Sequence, residues 1–155
     1  MSERGFASEL ARALSRPDTE ELRRAVSVYE DWSARNREGQ TDDWPDELDL
    51  WFYDVTENWD RSLALMVLAM SQSDDPLFLA TIAAGILEDM LTEWPRPTDA
   101  QLNRILDEAR KTPRFLWMLS GVWRMSMDED QANEVARVVG QADCDRDPLP
   151  PKPWA

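Results

Sequence analysis

Glu88 and Asp89 come nearest, by residue type and placement, to doing chemistry. Two carboxylates can pass a proton or hold a cation when both point at one reacting centre. Helical spacing sets them three and four residues after Gly85, on a polar strip completed by Thr81 and Thr92. Neighbouring helix positions diverge by about 100°, so the two acids do not converge. No His occurs anywhere in the chain, and no Lys or Cys lies close to the pair in sequence. The strip therefore reads either as a solvated or arginine-paired surface or as a site that binds without reacting. A glycine inside a helix costs about 1 kcal/mol relative to Ala, which a closely approaching backbone or ligand would justify. A segment bearing Arg114 or Arg124 is the expected neighbour across Gly85.

Other chemistries lack their residues. Without His and with Cys144 alone, the usual zinc ligands are missing, so no metal and no cofactor is expected. An enzyme built on Glu88, Asp89 and an arginine such as Arg114 is the weakest reading, because no nucleophile or phosphate-binding loop accompanies them. A lone cysteine cannot close an internal disulfide and fits a reducing compartment. The charged N-terminus lacks the apolar stretch of a signal peptide, so a cytoplasmic location is expected. The longest uninterrupted apolar run, Leu63 to Met70, is 8 residues, far short of the ~20 that span a bilayer.

Charge is distributed unevenly. Residues 1–41 carry 7 basic against 8 acidic side chains, residues 42–99 carry 2 against 14, and residues 100–155 carry 8 against 9. Nearly all of the net charge of −14 thus belongs to the middle third, which also holds Trp44, Trp51, Trp59 and Trp94. Such a field repels nucleic acid and anionic membranes and attracts a basic protein. Acidity is also a common solubility device, and the composition alone does not separate the two uses.

Five Gly against ten Pro, with few β-branched runs, predict helices divided by proline stops. The fold class is all-α: a single-domain bundle or short solenoid-like stack of about six to eight antiparallel helices. Residues 1–142 form the domain, with a helical hairpin over 1–37 expected to cap one end of a core over 44–141; residues 143–155 form a proline-rich tail. Phe6, Leu10, Ala13 and Leu14 mark a first helix, and Leu22, Ala25, Val26, Tyr29 and Trp32 mark a second from about Thr19 to Arg35, capped by Asp18 or Thr19. Pro45 opens a third, whose inner face is Leu48, Trp51, Phe52, Val55 and Trp59. The segment from Asp60 to Gln72 is too apolar for a surface helix, and Leu77 to Trp94 is expected to be the central helix. Thr98, Thr112 and Asp128 cap three more, one of them carrying Phe115, Leu119, Val122 and Trp123 on its face. Pro148, Pro150, Pro151 and Pro153 make the tail extended; it folds back on the domain, stays mobile, or serves as a ligand for an aromatic-lined groove.

At Gly85-Ile86-Leu87-Glu88-Asp89-Met90-Leu91, followed by Thr112-Pro113-Arg114-Phe115 and by Val122-Trp123, the chain resembles a bacterial family of small acidic α-helical proteins known only as a domain of unknown function. That family carries Gly-Pro-Leu-Glu-Asp-Leu-Leu, then Asp-Pro-Arg-Phe, then Val-Trp. The resemblance spans roughly residues 58–125 and departs where Ile86 replaces a proline and Thr112 an aspartate. It implies a helical fold and supplies no activity.

The opposite face of the third helix carries acids among apolar groups that the spacing turns away from the core. Asp42, Asp43, Trp44, Asp46, Asp49, Leu50, Tyr53, Asp54 and Glu57 form the candidate partner-binding set, although another helix of the domain covering Leu50 and Tyr53 is an equal reading. Together these features point to a non-catalytic interaction or inhibitory (immunity-type) module with a basic partner. The alternative is nucleic-acid mimicry, which needs carboxylates spaced like phosphates along an exposed face.

Overall fold

A computed structural model describes residues 8–40, 44–48 and 58–152. Among these residues there are seven helices and no strand, when the run from Pro76 to Thr92 is counted as one helix. The elements are α1 (Ser8–Leu14), α2 (Thr19–Arg37), a 3-10 turn (Asp46–Leu48), α3 (Trp59–Gln72), α4 (Pro76–Ile82), a π turn (Ala83–Leu87), α5 (Glu88–Thr92), α6 (Asp99–Lys111), α7 (Pro113–Leu119) and α8 (Glu129–Val139).

The centre of the bundle is α3, not the Leu77–Trp94 segment. Every residue from Ser62 to Met70 is buried, and α3 packs against α1, α2, α4, the π turn and α7. An apolar run without a polar strip has no face to give to water, so neighbours must surround it. Leu63, Leu65, Met66, Leu68, Ile82, Ile86, Leu87, Leu106 and Leu119 are all buried, as their spacing predicts. The helices expected to cap one end, α1 and α2, both pack on α3, with α1 also reaching α6. Leu14 departs from its predicted inner face and is 45 % exposed, because α1 ends there.

Helix starts follow the caps in part. Asp75 accepts the Leu77 N–H at 3.0 Å with Pro76 behind it, Thr98 and Gln101 form a reciprocal capping box, and Asp128 accepts the Gln131 N–H at 3.3 Å. Asp18 and Thr112 stand at N-cap positions but make no side-chain cap bond. Asp18 instead binds the Arg16 guanidinium at 2.8 Å, and the Thr112 hydroxyl donates to Glu108 at 2.9 Å. Asp18 takes a charged donor in place of the backbone N–H, and the Thr112 hydroxyl turns to a buried carboxyl.

The third predicted helix is described only at Asp46–Leu48, a 3-10 turn that buries Leu48; Trp51, Phe52 and Val55 lie outside the described residues. Trp59 belongs to the next helix, which it opens after Asn58 at the cap. Likewise α7 stops at Leu119 and not beyond Trp123, with the Ser120 hydroxyl donating back to the Trp117 carbonyl at 2.6 Å. The tail folds back: residues 143–147 form a turn in which the Asp147 N–H meets the Asp143 carbonyl, and Leu149 packs on the core.

Candidate functional site

The strip rides on a single helical run, interrupted by a π turn that contains Gly85. Such turns insert a residue and rotate the next stretch of helix, and they recur at functional sites. A Cβ built on Gly85 meets nothing within 4 Å. Among the described residues no other segment crosses it, which corrects the expected close approach.

The strip residues divide into two kinds. The Thr81 hydroxyl donates to the Leu77 carbonyl at 2.8 Å, and the Thr92 hydroxyl to the Glu88 carbonyl at 2.9 Å. Both are satisfied by their own helix. Glu88 reaches outward, and its Oε1 accepts the Trp123 backbone N–H at 2.7 Å. This bond pins the loop after α7 to the start of α5. Asp89 is half-buried, and burial together with the nearby Glu93 and Glu88 charges raises its carboxyl pKa. Among the described residues no cation pairs with Glu88, Asp89 or Glu93.

Neither expected arginine answers them. Arg114, only 2 % exposed, donates from Nη1 to the Met70 and Ser73 carbonyls at 2.9 and 2.7 Å, from Nε to the Pro150 carbonyl at 2.9 Å, and from Nη2 to Asp74 at 2.9 Å. It ties α7 to the end of α3 and to the tail. Arg124 sits in the loop beside a shallow cavity of about 380 Å³, lined also by Ser120, Val122, Trp123 and Met125. Trp123 and Met125 are 62 % and 81 % exposed, and Trp94, beyond the end of its helix at Thr92, is 81 % exposed. The loop placement of Trp123 was not visible in the sequence, since helical periodicity continues through Val122.

Of the acidic partner-binding set, Trp44 and Asp46 are described. Asp46 is exposed. Trp44 is half-buried, edge-on to Trp32 at 4.9 Å and to Tyr29 at 5.6 Å between ring centroids. Asp42, Asp43, Asp49, Leu50, Tyr53, Asp54 and Glu57 lie outside the described residues.

Two further charged groups escape sequence reasoning. Arg104 grips the buried Glu9 through Nε and Nη2 at 2.9 and 2.8 Å, contacts Asp60, and lies 5.4 Å from the Trp59 ring. Glu9, Asp60 and Arg104 border a small cavity of about 150 Å³ with Arg12, Arg16 and Ala64. Glu108, 1 % exposed, has its pKa raised by burial, against which the Thr112 hydroxyl acts. Partners 95 residues apart leave no local signal.

Among the described residues, no group of three or more His, Cys, Asp or Glu side chains is arranged to hold a metal ion, and no helix is long and apolar enough to cross a membrane. No curated protein and no solved structure matches the chain. A family match does extend over residues 33–142, from the end of α2 through α8, and takes in the strip, Arg114 and the Trp123 loop. The chain belongs to this family of unknown function, DUF6869.

Proposed function

We propose that this chain is a non-catalytic protein-interaction module, of the inhibitory or immunity type, that engages a basic protein in the cytoplasm. One observation carries the reading: Glu88, Asp89 and Glu93 have no cation among the described residues, and the loop that Glu88 pins turns Trp123 and Met125 to solvent. Uncompensated acids steer a basic partner, and exposed aromatic side chains supply anchors that gain most when desolvated. The surrounding field reinforces them, because residues 42–99 hold most of the net charge.

The test is affinity capture from the native cell with the intact chain as bait, at about 50 mM and about 500 mM salt, where screening lengths differ severalfold. A basic protein should be retained at low salt, released at high salt, and lost from a Trp123→Ser bait. Capture indifferent to both salt and Trp123 overturns the proposal.

A further inference from the structure

We propose that the surface of α7 bearing Arg114 and Trp117 is a recognition groove for a proline-rich segment followed by a basic residue, and that the chain's own tail occupies it at rest. This surface is distinct from the Glu88 strip, and its hydrogen-bond donors define it. Trp117 Nε1 donates to the Asp147 carbonyl at 3.0 Å, and Arg114 Nε to the Pro150 carbonyl at 2.9 Å. Prolines 148, 150 and 151 bring no N–H of their own, and each fixes φ in the extended range. A polyproline helix repeats every three residues, so carbonyls three apart face the same way. Asp147 and Pro150 are three apart, and the two donors are themselves three apart on α7. Each donor thus takes one of the two carbonyls.

The groove is set before the ligand arrives. Arg114 Nη1 is held by the Met70 and Ser73 carbonyls at the end of α3, which aims Nε outward without help from the tail. A donor fixed in this way loses little freedom on binding. Between the two carbonyl contacts, Leu149 packs on the core. Beyond them, Lys152 Nζ lies 3.4 Å from Asp74 Oδ2, while Asp74 Oδ1 takes Arg114 Nη2. The hydrogen bond from Arg114, more than the lysine, holds the Asp74 carboxyl below its usual range. The ligand is thereby specified as extended, proline-rich, apolar at one central position and basic after the prolines.

The backbone contacts need no covalent link to α8. Attachment raises the tail's effective concentration to roughly the millimolar range, so a segment in trans binds only by displacing it. The groove residues Asp74, Arg114 and Trp117 fall within the family match at 33–142, and the occupant lies beyond it.

The test uses the full-length chain and a full-length variant with Pro148→Gly, Leu149→Ser, Pro150→Gly and Pro151→Ser, titrated into a fluorescein-labelled peptide with the sequence of residues 145–153. Fluorescence anisotropy should show the variant binding at least tenfold more tightly than the parent chain. Adding Trp117→Phe to the variant, or replacing the peptide's prolines with alanine, should weaken binding at least fivefold. Absence of binding, equal binding by both chains, or indifference to the peptide's prolines overturns the proposal. Loss of helical circular dichroism in the variant overturns it as well, because an exchangeable occupant must be dispensable for folding.

Discussion

At the junction of α1, α3 and α6, Arg104 holds Glu9 and Asp60, and nearby Arg61 reaches Glu21 at 2.9 Å and Asp18 at 3.5 Å. Along α5, Glu88 and Asp89 in its first turn and Glu93 at its C-cap lie together with no cation among the described residues. The chain has 17 basic side chains for 31 acidic ones, so cations are scarce, and their placement records where the fold needs them. Arg61, Arg104 and Arg114 sit where separate elements meet, and Arg104 answers Glu9, a carboxylate 5 % exposed and taken from water, while Arg35, Arg110 and Arg137 pair within their own helices. The α5 acids need no such link, because Ile86, Leu87, Met90 and Leu91 already fasten that run to the core. Their mutual repulsion is tolerated for free surface charge, and only Glu88 is given a structural task.

If apolar packing rather than charge anchors the α5 side, then Leu87→Ala should be the most damaging single change there. Leu87 is fully buried in the π turn, and its truncation is expected to cost about 2 to 5 kcal/mol in urea unfolding. A loss below about 1 kcal/mol would place this run at the edge of the core and dissolve the contrast. On the other side charge should matter. Arg104→Met leaves the buried Glu9 with only the exposed Arg12, 3.8 Å away, as counter-charge, with an expected cost of about 3 kcal/mol. Glu9→Gln added to it should recover much of that loss. A double mutant as unstable as the sum of the two singles would show that the residues act independently.

The apolar pattern and the proline punctuation made most of this fold legible. Asp75-Pro76, Thr98 with Gln101, and Asp128 each announce a helix start, and the inward leucines follow the helical period. The features that stayed hidden were decided by partners distant in sequence or by backbone groups. Arg114 spends three of its four hydrogen bonds on carbonyls, which every residue has and no motif reveals. Gly85 keeps the helical apolar period while the backbone around it widens into a π turn, so spacing gave no warning. Trp123 continues the apolar period past Leu119, yet the Ser120 hydroxyl closes the helix and Glu88 takes the next stretch of chain. The helical period places the strip residues on one run, which the π turn interrupts, while the loop that meets them has no signal in that period.

The smallest expected effect is the sharpest probe of the contrast. Glu88→Gln keeps an oxygen able to accept the Trp123 N–H, and Asp89→Asn removes a charge that no described cation answers. The double variant should therefore shift stability at pH 7 by no more than about 0.5 kcal/mol, where removal of a paired buried carboxylate would cost several. The sign of the Asp89 contribution is set by its raised pKa. Burial first, and then Glu93 and Glu88, make its ionised form less favourable in the folded chain than in the unfolded one. Its stabilising contribution is complete below the unfolded pKa and is lost as pH rises through the folded value. Asp89→Asn should thus equal or exceed the parent at pH 7, and its relative advantage should vanish as pH falls below the carboxylate range. Urea midpoints measured from pH 3 to pH 7 for the parent and Asp89→Asn would show this convergence. An Asp89→Asn protein that is markedly less stable at pH 7, with the deficit disappearing in acid, would mean that the carboxylate is paired after all. The α5 acids would then belong with Glu9 and Asp60 as fastenings of the fold, and the proposed binding face would lose its central observation.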